Sequence, residues 1–280
     1  MPTTPSNITR PESQQRWTLD DIPWSNIDPD AVAAQEELLL LVATASFVEI
    51  TTDVFARNLI ERFAGGDEAG LWLDRHWQHE ELQHGRALKR YMEFAWPGFD
   101  WQRAYRSFVE EFSATCKIEA LESTRALEMV SRCVVEMGTA SYYTTLSRIS
   151  PEPVLRLLAH HIADDEVRHY KHFYRFFCLY RHIECPGRAR IILALWRRLK
   201  MIRDDDGFIA FKHVYAARHV GQSVDRNVYR LARRDCRHIV GRHFPHAMSV
   251  KMLLKPLGLA RPTQRVAQFT LEVLARGLVA

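Results

Sequence analysis

Two short stretches, Glu80-Glu81-Leu82-Gln83-His84 and Asp165-Glu166-Val167-Arg168-His169, constrain this 280-residue chain more than any other feature. On an α-helix, residues three apart are turned by about 300° and project to nearly the same side. Glu81 with His84, and Glu166 with His169, therefore each offer a carboxylate and an imidazole to one point. Each pair also follows a lone glutamate set in apolar sequence. Glu49, in Ser46-Phe47-Val48-Glu49-Ile50, lies 32 residues before Glu81. Glu136, in Cys133-Val134-Val135-Glu136-Met137, lies 30 residues before Glu166. With 19 Glu and 13 His, about one Glu-x-x-His pair is expected by chance, so the pairs alone carry little. The matched lone glutamates carry the inference, because a carboxylate buried among apolar side chains needs a partner or a metal ion.

Four Glu and two His on four helices make the donor set of ferritin-like di-iron and di-manganese carboxylate bundles. The expected ligands are Glu49, Glu81, His84, Glu136, Glu166 and His169. Hard carboxylates with imidazole suit two iron ions, with manganese or a mixed manganese–iron pair as alternatives, and the absence of Cys argues against structural zinc. Glu80 and Asp165 sit about 70° from the ligand face, where each can bond and orient a ligand histidine. His76 and His161, about 110° off that face, are not expected to reach the metals.

Helical signals run through the rest of the chain, and no strand-like alternation of useful length interrupts them. The expected fold is all-α, a ferritin-like four-helix bundle with additional C-terminal helices. Residues 1–30 read as an irregular arm, broken by Pro2, Pro5, Pro11, Pro23 and Pro29, with Trp17 and Trp24 pinning it to the body. Residues 31–185 read as the bundle. Its first helix is expected from Ala31, capped by Asp30, to Ala64 before Gly65-Gly66, and its second from Asp67 to Ala95. A helical connection is expected over 100–112, the third bundle helix over Thr115 to Ile149, and the fourth from Pro151 and Pro153 to about Ile183. Residues 186–280 read as a basic helical extension, with helices near 188–202, 208–244 and 263–278.

The net charge of +4 conceals an asymmetry. Residues 186–280 hold 19 Lys and Arg against 6 Asp and Glu, whereas residues 1–185 hold 19 against 28. A basic extension on an acidic body suits an acidic partner. It also allows peripheral contact with a membrane through Lys251 and Lys255 beside Met248, Met252, Leu253 and Leu254. No nucleic-acid recognition motif is present, and none of that binding is expected. The five cysteines are scattered without a CxxC, as expected of free thiols in a reducing compartment. The first 16 residues are polar, and the longest apolar run, 38–48, spans 11 residues where a bilayer needs roughly 20. A cytoplasmic protein is the expectation.

The stretch from Glu80 to Tyr91, Glu-Glu-Leu-Gln-His-Gly-Arg-Ala-Leu-Lys-Arg-Tyr, resembles the EENRHGxLLxxYL segment of the soluble acyl-[acyl-carrier-protein] desaturases. Ala163-Asp164-Asp165-Glu166-Val167-Arg168-His169 is similar to that family's AADEKRH segment, and Glu136-Met137-Gly138-Thr139 to its ERAT segment. Trp17-Thr18-Leu19-Asp20-Asp21-Ile22-Pro23-Trp24 loosely resembles its tryptophan-bearing arm. The resemblance covers roughly residues 15–180. It implies that Glu81 and Glu166 bridge two irons, with Glu49 and His84 terminal on one and Glu136 and His169 on the other. It further implies that Thr139 stands beside the oxygen-binding position, that Asp165 bonds a ligand His, and that Trp17 lies on an electron route.

The implied activity is O2-dependent removal of hydrogens from an acyl chain, lying in an apolar slot beside Thr139, Tyr142 and Tyr143. The implied partners are a ferredoxin-type electron donor and an acyl carrier protein, and the implied assembly is a homodimer. Two alternatives stand beside it: a di-iron oxygenase (arylamine N-oxygenase or hydroxylase) that keeps the same six ligands, and a non-catalytic iron-binding protein of the ferritin-like fold.

Overall fold

The structure, a computed structural model, describes residues 16–65, 67–116, 121–202, 207–222 and 224–277. These form α-helices and short 3-10 or π turns, with no strand among them, so the fold is all-α. The expected arm before Arg16 lies outside the described residues. From there two 3-10 turns, Leu19–Asp21 and Trp24–Asn26, carry the chain over the body. Trp17 and Trp24 are both buried, and Trp24 Nε1 donates to Leu19 O at 2.7 Å.

The first bundle helix differs from expectation at both ends. Asp30 does not cap it: Asp28 instead accepts from the Asp30 amide at 3.1 Å in a turn, and helix α1 spans Glu36–Ile50. Helix α2, Thr52–Arg62, follows with a 41° bend. Two adjacent threonines account for the break. The Thr51 hydroxyl donates to Phe47 O at 2.6 Å and the Thr52 hydroxyl to Glu49 O at 2.8 Å, taking up carbonyls that a continuous helix would use.

Asp67 accepts from the Ala69 amide and caps α3, Glu68–Trp72. A π-helical turn, Leu73–Trp77, leads into α4, Gln78–Ala95. Asp100 caps α5, Trp101–Ser113, by accepting from the Arg103 amide at 3.0 Å. The third bundle helix, α6, spans Arg125–Ile149, ten residues shorter at its start than expected. Thr124 is its cap, and the Glu184 carboxylate accepts from the amides of Arg125 and Ala126 at 3.0 and 2.8 Å. That carboxylate closes α7, Pro153–Glu184, whose own start is capped by buried Glu152 accepting from Leu155 N at 2.7 Å.

Helix α1 packs on α4, and α6 packs on α7. The C-terminal stretch forms α8 (Arg188–Met201), α9 (Gly207–Arg218), α10 (Arg226–His243), α11 (His246–Leu254) and α12 (Arg261–Gly277). The helix expected over 208–244 is two helices, separated at Gly221, whose φ of 86° reverses the chain. These helices join the core: Phe211 and Val214 pack with Phe47 and Tyr143, and Ile191, Leu195 and Met252 with Phe173 and Phe177. Met252 and Leu254 are buried there, whereas Lys251 and Lys255 face solvent. No single helix among the described residues is long and apolar enough to cross a membrane.

Gly85 sets the closest approach of α1 and α4. A Cβ at this position would collide with the backbone of Ile50, which a rotamer change cannot relieve. We expect Gly85→Ala to lower the unfolding free energy by about 1–3 kcal/mol, read as a lower urea midpoint with an unchanged slope.

Candidate metal centre

Glu49 stands on the last turn of α1, Glu81 and His84 on the first two turns of α4, Glu136 midway along α6, and Glu166 with His169 midway along α7. All six are buried, none more than 6% exposed. Their donor atoms converge into two groups of four, Glu49–Glu81–His84–Glu166 and Glu81–Glu136–Glu166–His169, each within 4.8 Å. Glu81 and Glu166 belong to both.

Within these groups the contacts are close without being hydrogen bonds. His169 Nδ1 lies 2.9 Å from Glu81 Oε1, and His84 Nδ1 lies 3.2 Å from Glu166 Oε1. None of these four buried atoms has a hydrogen-bond partner. A buried polar atom left so costs about 1–3 kcal/mol. Lone pairs about 3 Å apart and facing a common point are the spacing of neighbouring ligands around an ion with bonds of about 2.1 Å. Oxygen and imidazole donors without sulfur suit iron or manganese. The residues fit two metal ions that share Glu81 and Glu166.

The outer atoms of the histidines fix which way the rings present themselves. His84 Nε2 donates to Asp165 Oδ2 at 3.1 Å, and His169 Nε2 donates to Glu80 Oε2 at 2.7 Å. With Nε2 bonded outward, each Nδ1 faces the donor group, where a metal ion would take the place of its proton. Arg168 joins the two acids, donating to Asp165 Oδ1 at 2.5 Å and to Glu80 Oε2 at 2.7 Å. Trp17 Nε1 donates to Asp165 Oδ2 at 2.7 Å, and its ring lies parallel to that of His84. Its other neighbour is His161, stacked at 5.5 Å and away from the donor groups.

Thr139 is half-buried one turn beyond Glu136, and its hydroxyl donates to Glu166 Oε2 at 2.5 Å. Tyr143 donates to Glu49 Oε1 at 2.6 Å. Sequence reasoning placed Tyr143 beside a slot but did not pair it with Glu49. It also missed the Arg168 bridge, although its position three residues after Asp165 on one helix was a usable signal.

A cavity of about 450 Å³ reaches this centre. Glu49, Thr139, Tyr142 and Tyr143 form its inner end, and Phe211, Tyr229, Arg233 and Val240 of α9 and α10 its outer wall. The sequence offered no sign that the C-terminal helices would build this wall. A second cavity of about 780 Å³ shares Leu41, Tyr142, Tyr229, Arg233 and Val240 with the first. Tyr142 stands between them, its hydroxyl donating to Leu41 O at 2.8 Å.

Burial and mutual repulsion govern protonation. Burial and then Glu166 raise Glu49, and burial with Glu166 and Glu49 holds Glu81 well above the carboxylate range. Glu136, through burial, is pushed up to about 8. Burial alone would raise Glu166, but His84 and His169 outweigh it and lower its pKa. Burial would likewise lower both histidines; the acids around them, Asp165 and Glu166 for His84 and Glu136, Glu80 and Glu81 for His169, raise them well above 6.5 instead. No protein-family model matches the chain, and no curated protein matches it.

Two expectations follow from this arrangement. Glu49, Glu81, Glu136, His84 and His169 hold more protons folded than unfolded, so each contributes stability below its unfolded pKa that is lost as pH rises through the folded one. The chelator-treated protein will therefore melt at lower temperature at pH 8 than at pH 5.5. Metal-loaded protein will not show that fall, because the ions replace those protons; calorimetry on both forms reads it. Asp165→Asn, which weakens the hold on His84, will lower metal affinity about ten-fold in chelator competition.

Proposed function

We propose that this chain is an O2-dependent di-iron oxidoreductase that acts as the acyl-[acyl-carrier-protein] desaturases do, taking hydrogens from an apolar chain. One observation carries the reading. The two inward donor groups abut an apolar cavity at Glu49 and Thr139. A storage protein has no need of a chamber of that size with an oxygen-bearing side chain at its inner end. Two irons held by Glu49, Glu81, His84, Glu136, Glu166 and His169 would supply the reduction of O2 and the oxidising power for a C–H bond.

The chain's own residues prepare and limit that chemistry. Asp165 and Glu80 hold the Nε2 protons of His84 and His169, keeping Nδ1 free to ligate. His84 and then Arg168 hold Asp165 below the usual carboxylate range despite burial, and His169 and then Arg168 do the same for Glu80. Tyr143 fixes Glu49 at the cavity boundary. Thr139, bonded to Glu166, sets a small aliphatic hydroxyl both against a ligand carboxylate and in the cavity wall, where it can hold and pass a proton. The walls, from Leu40, Val48 and Phe211 among others, exclude water and align an extended apolar substrate.

Electrons enter, in this reading, by the line Trp17–Asp165–His84, supplied by a ferredoxin-type donor. The acyl group is presented by an acyl carrier protein, and the enzyme works in the cytoplasm as a homodimer. The free cysteines suit a reducing compartment.

The test uses the full chain loaded with ferrous iron, reduced, and given O2 with acyl-carrier substrates of several lengths. Mass spectrometry is expected to find products lacking two hydrogens. A product carrying an added oxygen would make the protein an oxygenase, and an iron-loaded protein that turns over no acyl substrate would remove the desaturase reading. Thr139→Val is expected to keep its metal and lose at least ten-fold in turnover.

A further inference from the structure

Large apolar side chains are exposed in unusual number on two C-terminal helices. On α12, Gln264, Ala267, Gln268, Leu271 and Ala275 are half-buried and share one side, the side that meets α11. Val266, Phe269 and Val273 recur at helical spacing on the opposite side, and Phe269 is 72% exposed. Arg265 and Arg276 border that outward stripe, Arg261 is exposed at the start of the helix, and none of the three makes an ion pair among the described residues. The one acid of the helix, Glu272, is half-buried and accepts from Gln268 Nε2 at 2.8 Å.

Helix α8 repeats the design. Ile191, Ala194 and Leu195 turn inward, while Ile192, Trp196 and Leu199 lie outward, with Trp196 58% exposed. Lys200 stands beside Trp196, and the helix contains no acid between Arg188 and Met201. Arg197 is engaged with Glu122. Both α8 and α11 lie against α6, and α8 touches the Lys255–Leu257 turn that leads into α12, so α8 and α12 are neighbours through α11 and that turn.

An outward helix face combining Trp, Phe and branched apolar side chains with arginines has the chemistry of an interfacial membrane helix. A second copy of this chain would set one cationic border against another, which an anionic lipid surface does not. The larger cavity opens at the same place: Trp196, Leu199 and Lys200 line it, and it adjoins the chamber that reaches Glu49. We infer that α8 and α12 lie on an anionic bilayer surface, with this cavity mouth facing the lipid. The docking is independent of the metal chemistry; only the passage of an apolar substrate from bilayer to cavity rests on the proposed function.

Vesicle co-sedimentation of the full chain tests it. The protein is expected to bind vesicles containing about a third phosphatidylglycerol, to bind pure phosphatidylcholine weakly, and to be released by about 0.5 M salt. Phe269→Glu with Val273→Glu, and separately Trp196→Glu, should each weaken binding about ten-fold or more while metal content and far-ultraviolet dichroism stay unchanged. Leu71→Glu, on an exposed part of α3, should leave binding unchanged. Failure of the wild type to bind anionic vesicles would overturn the inference. So would a wild-type dimer that Phe269→Glu splits, since a second copy would then be the occupant. Either failure leaves the metal content and oxygen chemistry to be judged separately.

Discussion

Four carboxylates held within a few ångströms of one another, away from water, repel strongly, and the bundle is arranged around containing that repulsion. Two imidazoles lie between them, and the remaining deficit is visible in the raised pKa values of Glu49, Glu81 and Glu136. The containment is crossed. Asp165 of α7 holds His84 of α4, and Glu80 of α4 holds His169 of α7, with Arg168 reaching both acids. The apolar packing pairs α1 with α4 and α6 with α7. The polar links thus run between the two helix pairs, where apolar contact is thinnest, and tie them into one unit.

That division of labour explains what could be read from the chain beforehand. Glu81 with His84 and Glu166 with His169 were legible because helical periodicity converts a three-residue spacing into a shared face. Glu49 and Glu136 were legible because an acid inside an apolar run has few physical explanations. Glu80 and Asp165 followed from the same wheel, one residue around from the ligands. These inferences use only local geometry and a desolvation cost, and the structure brings those eight residues together.

What the sequence concealed depended on contacts between distant segments. The helix break at Thr51 needs hydroxyls competing for carbonyls beside the tight Gly85 contact, which helix propensity does not foresee. The late start of α6 is fixed by Thr124 together with Glu184, an acid 60 residues further along. Tyr143 on Glu49 joins positions 94 apart, with no pattern in the chain linking them. The basic C-terminal stretch read as an extension because its charge hid its inward faces; Phe211, Val214 and Ile191 are nonetheless core residues.

The cavity walls carry this point into function. The chamber reaches Glu49 and Thr139, yet Trp17, Glu80, Asp165 and Arg168 take no part in its lining. An oxidoreductase that used O2 here would need its reducing equivalents and its apolar substrate to arrive without meeting, since a substrate lying on the electron route would block the donor. Under the proposed function, the polar line Trp17–Asp165–His84 and the apolar cavity past Tyr142 are built from separate sets of residues, one from the N-terminal arm, α4 and α7, the other from α1, α6, α9 and α10. The ligand set alone does not distinguish an oxygen-activating protein from a metal store. The cavity bears on the choice under the proposed function, and the C-terminal helices α9 and α10 supply one of its walls.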